Sequence, residues 1–299
     1  MAHDHAHHHA PAGHDRAFAL GIGLNLAYVA VEAGFGLIAG SLALLADAGH
    51  NLSDVLGLAL AWAAAWLSRR QPTPRRTYGL RRSSILAALA NAMLLLLAVG
   101  AIAWEAVLRL QAPEPVATGI VLWVAGAGVL VNGGTALLFL RGRHGDLNLR
   151  GAFLHMVADA GITVGVMVAA LLIAWTGWLW LDPLTSLVIA AVILAGTWGL
   201  LRDSVDLALD AVPRGIDPAA VEAFLAAQPG VSEVHDLHIW AMSTTETALT
   251  AHLVCPGTMP DDGFLAALRD GLHQRFAIGH ATIQIEAGAP CPLAPAHAV

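Results

Sequence analysis

His50 and Asp54 stand four residues apart in SLALLADAGHNLSDVLGLALAW, and His155 and Asp159 repeat that spacing in LRGAFLHMVADAGITVGVMVAALLI. On an α-helix, residues four apart point the same way, one turn along the axis. Each pair therefore offers an imidazole and a carboxylate from one helical face. Two imidazoles and two carboxylates from two facing helices make an N/O ligand set suited to a tetrahedral divalent ion. Both stretches are largely apolar, and a carboxylate at mid-membrane costs roughly 2.5–3.5 kcal/mol on insertion scales, so these ionisable groups call for a purpose. Metal entry would compete with protons, because the ligands must be deprotonated and free histidine titrates near pH 6.5, about 6.5 on the reference scale. The plainer alternative is that these groups hydrogen-bond across a helix interface. Asp47 lies about one turn before His50. It could serve an alternative ligand geometry, a proton relay or helix polarity, and is kept outside the ligand set.

The elements that must position these residues follow from composition. The 299 residues are 57% apolar and only 12% charged, with mean hydropathy +0.65, which points to a polytopic membrane protein. Six segments are long enough to span the bilayer, at about 17–39, 42–67, 83–109, 117–140, 150–174 and 178–201. Asn25 and Glu32 in the first span and Asn132 in the fourth could line the same hydrated cavity, with hydrogen bonding between helices the plainer alternative for the two asparagines. The loop SRRQPTPRRTYGLRR carries Arg69, Arg70, Arg75, Arg76, Arg81 and Arg82, and the loop after the fourth span carries Arg141, Arg143 and Arg150. The alternate turns hold no basic residue. The positive-inside rule then places the arginine loops and both termini in the cytoplasm. Trp104, Trp123, Trp175, Trp178 and Trp180 fall near the opposite ends of the spans, as an interfacial belt would.

The N-terminal stretch MAHDHAHHHAPAGHD has neither a basic n-region nor an apolar h-region, so it does not read as a cleaved signal peptide. It reads as a His-rich tail, residues 1–16, of the metal-binding kind or an expression tag. The transmembrane domain is placed at 17–208, a metal-binding domain at 209–287 and a second tail at 288–299. Within 209–287, Asp217 and Pro218 read as the N-cap and first residue of a helix closed by Gly230. Two strands, an amphipathic helix and a third strand follow. The order αββαβ suggests an α+β, ferredoxin-like domain. Strand alternation puts His252 and Glu286 on the face away from the core, with His235 opening the neighbouring strand. These three residues, with a water or a tail histidine, could hold a cation, although such groups on a sheet are commonly just solvated. His238 points to the opposite face from His235 if the strand is regular. Cys255 and Cys291 form no C-x-x-C pattern, which argues against a disulfide framework or a thiolate zinc knuckle.

Taken in order, LNLAYVAVEAGFG, SLALLADAGHNLSDV, TYGLRRSSILAALAN, HMVADAG, VHDLHIWAMS and HATIQIE resemble the cation diffusion facilitator family, its bacterial zinc/proton antiporter type, over nearly the whole chain. The resemblance implies six transmembrane helices, a cytosolic ferredoxin-like domain similar to a copper metallochaperone, a homodimer, and zinc export from the cytosol across the inner (plasma) membrane in exchange for protons. It implies transport ligands at His50, Asp54, His155 and Asp159, a set similar to that of zinc-preferring members. It also implies zinc binding at His235, His252 and Glu286 near the dimer contact. His280, Cys291 and His297 form a candidate second site with the tail. Zn2+ is the expected substrate and cytosolic ligand; Cd2+, Co2+, Ni2+, Fe2+ and Mn2+ suit the same donors. The expected partners are the bilayer, protons and a second copy of the chain, with no nucleic acid. Two departures stand out. The arginine loop lacks the His and Asp that hold an additional metal in some relatives, and Ser84 replaces the family's usual glutamate before ILAAL. Arg82 is a candidate to pair with Asp210 near the dimer seam.

Two other classes remain open at this level. An intramembrane metalloenzyme would use a zinc-bound water, but four protein ligands would fill its coordination sphere and no His-Glu-x-x-His helix or nucleophile–base pair is present. A membrane-tethered metal sensor would not need the buried pairs.

Overall fold

The computed structural model describes residues 15–140, 147–257 and 261–288. Six long helices come first: α1 (Asp15–Ala39), α2 (Leu42–Ser68), α3 (Ser83–Gln111), α4 (Thr118–Leu140), α5 (Leu147–Thr176) and α6 (Leu181–Ala208). Each falls on an expected span, with α6 starting three residues later than expected at Leu181 and continuing about two turns beyond its apolar stretch because RDSVDLA carries no helix breaker. Among the described residues, four helices are long and apolar enough to cross a membrane, over Ser83–Gln111, Thr118–Leu137, Met156–Thr176 and Leu181–Ala208. Their outer surfaces expose Leu97, Leu130, Leu137 and Leu171 together with Trp104, Trp123 and Trp175. Water would not tolerate so much contiguous apolar surface, whereas lipid does. The chain is a multi-pass membrane protein.

Two compact units divide the chain. One takes the chain up to Ala59 together with Asn91–Trp198, and the other takes Leu60–Ala90 together with Gly199 onward. In the first unit, Ala39, Ala43, Ala46, Ala125 and Ala170 are buried beside Leu44, Val121, Val166 and Ile193. Small side chains allow the close backbone approach that drives helix association in lipid.

The start of α2 is fixed by a residue distant in sequence. Gly40 adopts φ +65° to turn the chain out of α1, a conformation open to glycine without steric cost. The carboxylate of Asp182, in the first turn of α6, then accepts hydrogen bonds from Ser41 Oγ (2.5 Å), Leu42 N (2.8 Å) and Ala43 N (3.3 Å). It thereby satisfies amides that no intrahelical carbonyl can reach and sets a negative charge at the positive end of α2. Arg109 of α3 donates to the Gly40 carbonyl at 2.6 Å on the other side of the turn.

The C-terminal domain runs α7 (Pro218–Ala226), β1 (Glu233–Ala241), β2 (Thr247–Val254), α8 (Asp262–Phe276) and β3 (Ile278–Glu286), the αββαβ order expected. The sheet order is β1-β2-β3, with β1 and β2 antiparallel and β2 and β3 parallel. Val221, Leu225, Ile239, Leu249, Leu253, Leu268, Leu272 and Ile278 form its core. Asp217 caps α7 by accepting from Ala219 N at 3.0 Å, and Pro218 occupies the first turn. The helix ends earlier than Gly230 suggested. Ala227 is its C-cap in right-handed geometry, and Gly230, at φ +82°, serves the turn that follows.

One irregularity matters for the chemistry. His235 pairs with His252 and His238 pairs with Thr250, so Asp236 and Leu237 of β1 together oppose the single Ala251 of β2. This β-bulge leaves Asp236 at φ +49°, a left-handed conformation costing about 1–3 kcal/mol for a non-glycine residue.

Removing the Asp182 cap is expected to loosen the start of α2. Asp182→Ala should lower stability by about 1–2 kcal/mol, the usual size of a lost helix cap. Thermal unfolding in detergent checks this, and adding Ser41→Ala should cost little more, because both act on one cap.

Candidate metal centre

In the helical unit, the residues that meet come from α2 and α5. His50 Nε2 lies 3.3 Å from Asp159 Oδ1. In a tetrahedral zinc site with ligand bonds of about 2.0–2.1 Å, adjacent donors stand about 3.3–3.4 Å apart. The His50–Asp159 separation matches the length of one edge of such a tetrahedron. Asp159 is buried, at 1% exposure, and Thr163 donates to its backbone carbonyl at 3.0 Å. Asp54 and His155 lie on α2 and α5 one turn from these partners, with side chains outside the described residues.

A second set of buried polar groups surrounds the pair. Asp47 and Glu32 are both at 0% exposure. Tyr28 donates its hydroxyl to Glu32 Oε1 at 2.6 Å, and Asn51 donates to Oε2 at 3.3 Å. Asp47 is in the electrostatic neighbourhood of Glu32, His50, Asp159 and Thr163. Asn25 donates to Met156 Sδ at 3.6 Å, which is helix-to-helix hydrogen bonding. Asn132 is buried on α4, and neither side-chain polar atom finds a hydrogen bond among the described residues. The sequence reading left out Tyr28, Asn51 and Thr163. Tyr28 precedes Glu32 by one helical turn and Asn51 follows His50 directly, so spacing alone held a signal for both.

In the C-terminal domain, the three expected residues converge. Glu286 receives both imidazoles: His235 Nε2 lies 3.0 Å from Oε2 and His252 Nδ1 lies 3.0 Å from Oε1. Donor atoms of all three lie within 4.8 Å of one another. The two imidazole rings meet edge to face, 5.0 Å between centroids. His235 and Glu286 are 5% and 9% exposed, so this is no solvated sheet face. Two nitrogens and a carboxylate at this spacing fit a zinc-like ion, which would accept further ligands at its open positions. Gln284 donates to Glu286 Oε1 at 3.0 Å. Burial pushes the Cys255 thiol up, which disfavours the thiolate a metal would need.

His238 departs from the regular-strand expectation. The bulge puts it opposite Thr250, two residues from His252 on β2, and so on the same face as His235. His280 packs edge to face on Tyr78 at 5.7 Å. Cys291 and His297, along with residues 1–14 of the His-rich tail, lie outside the described residues. Arg82 does pair with Asp210, although both are half exposed and the pair adds little stability. Ser84, where a glutamate was expected, accepts a hydrogen bond from Thr244 N at 3.1 Å, and Arg81 pairs with Glu246 at 2.6 Å beside it.

Comparison with known proteins gives this arrangement its class. Residues 19–207 match the cation efflux transmembrane domain, and residues 213–288 match the cytoplasmic domain of cation efflux proteins. The chain belongs to the cation efflux family, the cation diffusion facilitators. It is 37% identical over 297 residues to the metal cation efflux system protein CzcD of Cupriavidus metallidurans, covering 99% of this chain and 93% of that protein. The zinc transporter ZitB of Escherichia coli is 38% identical over 294 residues, covering 96% and 93%. The cadmium, cobalt and zinc/H(+)-K(+) antiporter of Bacillus subtilis is 33% identical over 285 residues, covering 94% and 91%. As a cation efflux protein, the chain is a transporter of metal cations and not an enzyme, and the metalloenzyme alternative falls away.

The polar set around the helical pair depends on one close approach. A Cβ on Gly128 of α4 would collide with the ring and hydroxyl of Tyr28. Gly128→Ala is therefore expected to displace Tyr28 from Glu32 and cost about 1–3 kcal/mol, as overpacking does. A double-mutant cycle with Tyr28→Ala, read by thermal unfolding in detergent, should be strongly non-additive.

Proposed function

We propose that this cation efflux protein exports zinc from the cytosol in exchange for protons. The ion is held by His50 and Asp54 of α2 with His155 and Asp159 of α5. The observation that carries the reading is the His50–Asp159 contact, in which two different helices bring an imidazole and a buried carboxylate to tetrahedral-edge distance. The names of the relatives, a zinc transporter and a cadmium, cobalt and zinc antiporter, support the substrate class. Cadmium and cobalt, with nickel, iron and manganese behind them, suit the same donors.

The mechanism follows from the donors. An imidazole and a carboxylate bind either a cation or protons, so loading the metal expels protons and proton entry releases it. Because the donors come from separate helices, a relative tilt of α2 and α5 opens the site to one side and then the other. That is alternating access with the ion as the pivot. His235, His252 and Glu286 form a regulatory cation site in a cytosolic domain. The chain works as a homodimer in the inner membrane with both termini in the cytoplasm. The arginine loops support this orientation, and the match to the cytoplasmic domain of cation efflux proteins supports the side on which the last domain lies.

Proteoliposomes carrying a luminal pH dye test the proposal. Added zinc should enter and alkalinise the lumen as protons leave, in runs with and without a potassium gradient, and each alternative ion is tested in turn. Asp159→Ala should abolish zinc flux while leaving zinc binding by the C-terminal domain intact. Zinc uptake with no pH change would remove the proton coupling. Full uptake by the variant would remove the site.

A further inference from the structure

His252 has two ring nitrogens, and each faces a different carboxylate. Nδ1 lies 3.0 Å from Glu286 Oε1, on the side where His235 also converges, while Nε2 lies 3.4 Å from Asp236 Oδ2. A neutral imidazole carries one proton and one lone pair. A cation among His235, His252 and Glu286 takes the lone pair of Nδ1, so the proton belongs on Nε2. An ionised carboxylate only accepts hydrogen bonds, and Asp236 stands where it selects that tautomer. The other oxygen of Asp236, Oδ1, lies 2.9 Å from His238 Nε2. Asp236 is therefore held between two imidazoles, with one oxygen for each.

Asp236 reaches this position through the bulge. In a regular strand its side chain would point to the face opposite His235. The extra residue between His235 and His238, with Asp236 in left-handed geometry, brings both Asp236 and His238 to the face that holds His252. Asp236 is not a further ligand of the same ion. Among the described residues, the only group of three or more His, Cys or carboxylate donors all within 4.8 Å of one another is His235, His252 and Glu286. Asp236 contacts the far edge of the His252 ring.

We propose that Asp236 is a positioning residue for the C-terminal cation site. It fixes His252 with Nε2 protonated and Nδ1 aimed at the ion, and His238 anchors Asp236 from behind. The inference rests on the reading of His235, His252 and Glu286 as a cation site.

The test uses the full chain in detergent with Asp159→Ala in the background, so that the helical pair does not contribute. Zinc affinity is measured by chelator competition, and the tautomer of His252 is read from imidazole 15N shifts in histidine-labelled protein. Asp236→Asn keeps the shape and removes the charge. It should weaken zinc binding about 10–100-fold, the usual effect of removing a carboxylate behind a ligating histidine, with the number of ions bound per chain unchanged. His252 should shift from a single Nε2–H tautomer to a mixture, and His238→Ala should weaken binding in the same direction by a smaller factor. Unchanged affinity in Asp236→Asn, or an Nδ1–H tautomer in the parent, overturns the positioning role. So does a fall in melting temperature with no change of tautomer. His252→Ala separates the two failures. If it loses zinc while Asp236→Asn does not, the positioning role alone fails; if it binds zinc unchanged, the site reading fails as well.

Discussion

A carboxylate inside a lipid-embedded helix must find a partner, and the structure is arranged around that requirement. Transfer of such groups to hydrocarbon is costly enough that they persist only when paired, hydrogen-bonded or exchanged with a cation. Three buried acids of the helical unit meet the requirement differently. Asp182 is bound to the start of α2 by three hydrogen-bond donors, and this is architecture. Glu32 is held by a tyrosine and an asparagine. Asp159 faces an imidazole on another helix, a partner that can itself bind a metal ion. The fixed acids lock helices together, and the one that shares its site with a histidine is suited to exchange.

The C-terminal domain reaches a comparable arrangement by distorting a strand. The bulge in β1 carries a conformational cost, and in return it turns His238 and Asp236 toward His252. Glu286 and Asp236 then flank His252 on opposite edges, so the orientation of one imidazole is over-determined. A buried His–Glu–His cluster in a domain this small would otherwise be a liability, because buried polar groups weaken a core unless each finds a partner.

The helix boundaries were legible because apolar length is a strong signal, and the turn near Gly40 and the proline-containing start of α7 marked their own places. The His50–Asp159 contact was legible as two matched i,i+4 spacings. What spacing could not reveal were contacts between distant segments. Nothing local tells that Asp182 caps α2, because the acid and the amides it binds lie about 140 positions apart. Nor does strand alternation survive an inserted residue. His238 was expected on the far face of β1, and one bulge reverses it. Gly230 drew the end of α7 too far along, since a glycine marks a turn as readily as a helix end. The shared face of His252 and Glu286 followed from alternation, because β2 and β3 run in unbroken register at that point, while their reading as a cation site came from the family resemblance.

The central claim is that one ion is enclosed by imidazole and carboxylate donors from α2 and α5. Zinc X-ray absorption on the detergent-purified full chain, with His252→Ala removing the C-terminal site, examines it most directly. The account expects four nitrogen and oxygen donors at about 2.0–2.1 Å, with an imidazole scattering signature and no sulfur, and loss of that shell in Asp159→Ala. A six-coordinate, water-like shell, or a spectrum unchanged by Asp159→Ala, would contradict it.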